Sequence, residues 1–330
     1  MHKKLLATFI CLGLALGLQG LEVKVPAGSP TEKGMALFKQ GRYGDAKAVL
    51  WQVVGANPKD AQAQAYLGLA INNYDRDADQ AIQHLEEAAR LEPTRARFQS
   101  WLGAAYATKA GSVSLLRAMS WATKSREAFE RGVALDPKDV EAHSSLLQYY
   151  IQAPAFAGGG LDKAKREIAV IAGLDPYLGL ILEGRLAERE KDLGQAEALY
   201  RKAIARDPAK LGGYNSLGYV LLKAKRALEA VETFRRAVQL NGSDANAHDS
   251  LAEGLLALGQ LDASLEEYRR ALEVDPYFAA SYPSLAQCYL KKNELQKARQ
   301  AYEKYLELAP RGSQANAARK QLEALKQKGA

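Results

Sequence analysis

Four histidines, two cysteines and one run of three glycines are the residues of this 330-residue chain most suited to chemistry. His84 precedes Glu86-Glu87, but a helical zinc site shows a second histidine one turn away, and none is present. His143 and His248 stand where corresponding segments carry Tyr214 and Tyr282, so packing accounts for them better than metal ligation. Gly158-Gly159-Gly160 lacks the Gly-Lys-Ser/Thr ending and the preceding strand of a phosphate cradle, and reads as a loop with Asp162 capping the next helix. Asn241-Gly242-Ser243 meets the glycosylation pattern formally, yet it falls where a turn is expected. Cys288, beside Leu285 and Tyr289, reads as a buried, inert thiol. No set of groups converges as catalysis requires, so no catalytic, cofactor-binding or metal-ligating residue is assigned and a non-enzyme is expected.

What organises the chain is a recurring proline, usually after Asp, at 58, 93, 137, 176, 208, 276 and 310. With Asn241-Gly242 standing in once, the gaps are 35, 44, 39, 32, 34, 34 and 34 residues. A fixed period in this range marks stacked supersecondary units. In the cleanest unit, 211–244, Tyr214, Leu217, Gly218 and Leu221 form one amphipathic helical stripe, and Ala230, Phe234 and Ala237 form a second. Gly218 and Ala230 lack bulk where the helices cross, so the axes approach closely while Phe234 fills the gap. Asn-Gly or Asp-Pro then stops the second helix.

This layout resembles the tetratricopeptide repeat, whose 34-residue pattern reads W-x2-L-G-x2-Y, then A-x3-F, then P. Partial matches recur in register: Gly34, Ala46, Leu50 and Pro58; Leu67, Gly68, Ala81 and Leu85; Leu102, Gly103, Tyr106 and Phe129; Leu251, Ala252 and Tyr268; Leu285, Ala286 and Tyr302. The resemblance implies an all-α, right-handed α-solenoid of about eight helix-turn-helix repeats. They fall at about 27–60, 61–95, 96–139, 140–178, 179–210, 211–244, 245–278 and 279–312. A capping helix and tail follow at 313–330, with Ala315, Ala318, Leu322 and Leu325 on one side.

Residues 1–20 stand apart. His2, Lys3 and Lys4 precede an uncharged apolar run from Leu5 to Leu18, the layout of a cleaved secretory signal, with a cut after Gly17 or Gly20 and a short linker at 21–26. Fourteen apolar residues fall short of the roughly 20 that span a bilayer. Cys11 lacks the small residue before it that a lipidated cysteine would show. An exported protein, periplasmic or secreted, is therefore expected. Removing 1–20 leaves Cys288 alone, so no intramolecular disulfide is expected. It also reduces the formal charge from +7 to +5, with signs alternating along helices as in Glu266-Glu267 before Arg269-Arg270. No basic stripe suggests a nucleic-acid partner.

In this family the first helix of each pair lines a concave wall that holds extended peptides. Carried onto this chain, the resemblance implies a polar wall of Asn72, Asn73, Arg97, Ser100, Ser144, Gln148, Arg185, Arg189, Asn215, Tyr219, Asp249, Glu253 and Gln287. Amides among them suit the backbone of an extended partner. Two neighbouring repeats carry extra residues, Ala110–Trp121 and Gln152–Gly160, both expected in the turn between paired helices. Leu115, Leu116, Met119, Trp121 and Phe156 would make them an ordered knob. The expected function is a scaffold binding a peptide or protein in the concave groove. The alternative is an assembly factor of an envelope complex docking through the knob. No cofactor and no membrane span after signal removal are expected.

Overall fold

The computed structural model describes residues 28–327, so the basic-apolar segment and linker expected at 1–26 lie outside the described residues. Among the described residues the chain is all-α, seventeen helices with one 3₁₀ turn. It divides into two compact units, whose described residues are 28–174 and 175–327.

The first unit holds four consecutive pairs: α1 (Pro30–Lys39) with α2 (Tyr43–Ala56), α3 (Ala61–Tyr74) with α4 (Ala78–Leu91), α5 (Ala96–Ser112) with α6 (Leu115–Leu135), and α7 (Val140–Gln152) with α8 (Leu161–Leu174). The second holds α9 (Pro176–Arg189) with α10 (Leu193–Arg206), α11 (Leu211–Lys223) with α12 (Ala227–Leu240), α13 (Ala245–Ala257) with α14 (Leu261–Val274), and α15 (Ser281–Lys291) with α16 (Leu295–Leu308). A final helix, α17 (Ala315–Gln327), packs on α16 and buries Ala315, Ala318 and Leu325. Sequential pairing of this kind is the arrangement of a tetratricopeptide solenoid.

In five of the eight pairs, a position without a side chain on the first helix meets a large one on the second. A Cβ added to Gly103 of α5 would stand 2.8 Å from the Phe129 ring of α6. One added to Gly218 of α11 would overlap Phe234, which is fully buried. Gly34 against Leu50, Gly68 against Leu85 and Gly184 against Tyr200 repeat the contact. Each large residue therefore occupies the volume its glycine leaves, which brings the helix axes together.

The turns share a backbone conformation more than a residue type. In six pairs the chain reverses through one left-handed residue: Gly41, Arg76, Lys191, Lys225, Gly259 or Asn293. Asp60, Asp77, Asp139, Asp175, Asp192 and Asp244 accept backbone N–H bonds at helix N-termini and satisfy donors that the helix cannot. Between pairs, a side chain six positions on closes the turn by donating to a carbonyl within it. Gln64 bonds Pro58 O at 2.9 Å, His143 bonds Pro137 O at 3.0 Å, and Tyr214 bonds Pro208 O at 3.2 Å. His248 bonds Gly242 O at 3.0 Å, and Tyr282 bonds Pro276 O at 2.9 Å. The second ring nitrogens of His143 and His248 meet Glu167 and Glu267, at 2.7 and 2.6 Å, so both imidazoles are fully engaged by protein atoms. Asn241 is used similarly, its side-chain oxygen accepting from Ser243 N at 3.0 Å.

The insertions depart from expectation. The extra residues of the third pair do not form a turn; α5 and α6 lengthen to 17 and 21 residues, and only Val113 and Ser114 separate them. No Pro interrupts 104–121, and Gly111 falls only in the last turn of α5, so the helical hydrogen bonds continue up to Val113 and Ser114. In the fourth pair the extra residues do connect the helices, through the 3₁₀ turn Ala155–Ala157. The triple glycine has a steric cause, since a Cβ on Gly159 would collide with the Ala153 carbonyl and Gly158 is left-handed. Asp162 lies inside the first turn of α8, not at its cap.

Gly103→Ala is expected to lower stability by about 1–3 kcal/mol through overpacking against Phe129. Gly173→Ala, in α8 with open space at its Cβ, should raise it by about 0.5–1 kcal/mol. Urea denaturation of both variants measures the contrast.

Candidate protein-binding site

In both units the first helices also touch one another, α1 with α3, α3 with α5 and α5 with α7, then α9 with α11 and α11 with α13. Within each unit they form a layer that carries polar side chains singled out in the sequence, and the structure sorts ten of those side chains into three groups.

Arg97, Gln148, Arg185, Arg189 and Gln287 are exposed. Arg97 stands over the Trp101 ring at 5.9 Å and pairs with Glu141 of α7 at 3.4 Å. Asn73 and Ser144 turn back on their own helices, donating to Leu69 O at 2.9 Å and Val140 O at 2.7 Å. Asn72, Ser100 and Asp249 are buried, with 3%, 3% and 7% of their surface accessible, unlike an open polar wall. Small neighbours explain this, because Ala and Gly on adjacent helices let the layer close over short polar groups. Ser100, for example, lies against Gly132.

The unpaired atoms are informative. The Asn72 side-chain oxygen, Ser100 Oγ, Trp101 Nε1 and the Asn215 side-chain oxygen, on first helices, are buried without a hydrogen-bond partner, as are atoms of Arg126, Tyr268 and Arg299 on second helices. A buried unpaired polar atom costs about 1–3 kcal/mol. Trp101 also belongs to an aromatic row that the repeat pattern alone does not reveal. Phe38, Tyr66 and Trp101 come from α1, α3 and α5, with ring centroids 5.5 and 5.2 Å apart. A signal for it exists in the sequence, since Tyr66 and Trp101 are separated by the local repeat length of 35 residues.

In the second unit, Tyr219 of α11 and Asp249 and Glu253 of α13 meet. Tyr219 OH lies 3.2 Å from Ser250 Oγ and is packed edge-on to Phe234 at 5.2 Å. Asp249 accepts from Ser281 Oγ. Burial pushes the Asp249 carboxyl up to about 7, the Ser281 bond opposes that, and the neighbouring Glu253 adds to it. Burial raises Glu253 as well, and the Tyr219 hydroxyl works against it. These carboxyls are thus held largely by hydroxyl groups.

Elsewhere the charges are spent on the protein itself. Glu266 and Glu267 pair with Arg269 and Arg270 as the alternating signs implied. Glu188 instead reaches across helices to Tyr200 and Lys223. Cys288 is fully buried, and burial raises its thiol, which leaves it little thiolate character. Among the described residues no helix is long and apolar enough to cross a membrane.

Stacked helix pairs with a polar first-helix layer define a class of repeat scaffold. The profile described as Tetratricopeptide repeat matches residues 31–72, 181–245 and 250–313, just over half of the sequence, and the chain belongs to that family. Proteins of this family generally mediate protein–protein interactions. The structure of yeast Tom70 superposes with a TM-score of 0.67 at 16% identity, over 94% of this chain and 67% of that one, which shows the fold. A chain of the APC/C hetero-tetramer Cut9–Hcn1 aligns at a TM-score of 0.47 and 17% identity, over 90% of this chain. This chain spans 55% of that protein's length. No curated protein matches the sequence.

The folded Asp249 keeps a proton that the unfolded chain releases near its ordinary value of 3.8. Its contribution to stability is therefore full below about pH 4 and is lost as pH rises toward about 7. Asp249→Asn should remove that loss, so thermal melts should show the variant gaining on the parent at about pH 8 relative to about pH 4.

Proposed function

We propose that the protein is a non-enzymatic adaptor whose first-helix layer binds an extended segment of a partner protein. The observation that carries this is the exposed polar side chains on first helices, Arg97 and Gln148 in the first unit and Arg185 and Gln287 in the second. An extended peptide presents N–H and C=O groups along its length, and amide and guanidinium groups that reach solvent can pair with them. Because the helices are already packed, binding orders the partner and leaves the scaffold unchanged.

The same reading includes export, with residues 1–20 as a removable signal and the repeats beginning near residue 27; its support is the basic end followed by the uncharged run Leu5–Leu18. A second contact surface is favoured by the exposed Leu115, Leu116, Met119 and Phe156, which lie on α6 and the 3₁₀ turn and not on first helices.

A photo-crosslinking residue at Gln148 or Arg185 should trap a partner, and one at the exposed Glu232 of α12 should not. Trapping from Glu232 alone would reverse the assignment of the binding face.

A further inference from the structure

Large apolar side chains are exposed singly elsewhere, as at Leu228, but they gather where the repeat pattern breaks. Leu115, Leu116 and Phe156 are 66%, 86% and 62% exposed, and Met119 and Leu161 are exposed beside them in sequence. Leu115, Leu116 and Met119 occupy positions i, i+1 and i+4 of α6, which places them on one side of the helix. The Tyr149 hydroxyl joins the two insertions, lying 2.9 Å from Ala122 O on α6 and 2.6 Å from Ala157 O in the 3₁₀ turn. The Arg126 side chain also lies against Gly158. Both inserted segments therefore belong to one ordered tip within the first unit.

Lys109 pairs with Asp79 and Arg126 with Glu130, which leaves the exposed Arg117 and Lys124 as the basic groups of residues 113–125, a stretch without Asp or Glu. Residues 142–161 contain no Lys, Arg, Asp or Glu at all. Lys124 is exposed and stands 4.6 Å over the Trp121 ring, so a cation and an amphipathic aromatic sit together behind the apolar residues. Apolar side chains in front, with basic and indole groups behind, reproduce the polarity profile of a bilayer interface. A peptide-binding surface recesses its apolar contacts in a groove, whereas these protrude.

We propose that this tip is a contact for an anionic lipid bilayer surface. Leu115, Leu116 and Phe156 enter the acyl boundary, and Arg117 and Lys124 face the headgroup phosphates. The contact is peripheral and reversible, and it stands independently of the adaptor reading.

The test uses the full chain with Cys11→Ser and Leu116→Cys, leaving buried Cys288 unlabelled, and an environment-sensitive fluorophore at position 116. Vesicles of phosphatidylcholine, with or without phosphatidylglycerol, carry a lipid-borne quencher. The expected result is a blue shift and quenching with phosphatidylglycerol, weakened at least about threefold by Arg117→Glu with Lys124→Glu. Circular dichroism should show the parent helix content in these surface variants. A control probe at Leu228→Cys, also exposed but in the second unit, should remain unquenched. No quenching at position 116, or equal quenching at both positions, overturns the proposal. A shift only with an acidic amphipathic peptide also overturns it, and assigns the tip to a protein partner.

Discussion

The structure depends on one steric exchange, a missing side chain on the first helix of a pair filled by a large one from the second. Phe234 illustrates its reach. The ring occupies the volume left by Gly218 on α11, lies against Gly254 on α13, and packs edge-on to Tyr219. One fully buried ring thus fixes the spacing within a pair, the contact with the next pair, and the position of a side chain on the candidate binding layer. Close-packed interiors give little under such contacts, so each junction transmits its geometry to its neighbour. Repeating the exchange along a unit yields stability that is approximately a sum of local terms, without a single deep core.

The same exchange shapes the site. Glycine and alanine at the crossings bring first helices near enough to cover Asn72, Ser100 and Asp249. Short polar groups become buried, some unpaired, while long ones such as Arg97 and Gln148 still reach solvent. A preformed layer whose long amide and guanidinium side chains reach solvent suits a partner that brings its own backbone donors and acceptors. The closing bonds from Gln64, His143, Tyr214, His248 and Tyr282 to turn carbonyls serve a different end, which is to hold successive pairs in register.

The helix pairs were legible in the sequence because their signals are local. Apolar periodicity, Asp before a helix and Pro after one each act within a few residues, and all agreed. The shared position of His143, His248, Tyr214 and Tyr282 was visible for the same reason. Burial across the first-helix layer was not legible, since it depends on which small residues meet between helices far apart in sequence. The Ala110–Trp121 insertion misled because length alone does not distinguish an added turn from added helix. Its lack of Pro lets both helices run on, and that leaves Leu115 and Leu116 in solvent. Phe38, Tyr66 and Trp101 were overlooked because each reads as ordinary core within its own helix, and their row emerges only across three of them.

A double-mutant cycle of Gly218→Ala with Phe234→Leu tests this dependence most directly, read as unfolding free energies. If the ring fills the glycine's volume, the cost of Gly218→Ala should shrink by more than about 1 kcal/mol in the Phe234→Leu background. Additive costs would mean that the two positions are not coupled, and the steric exchange would lose its place as the basis of the fold.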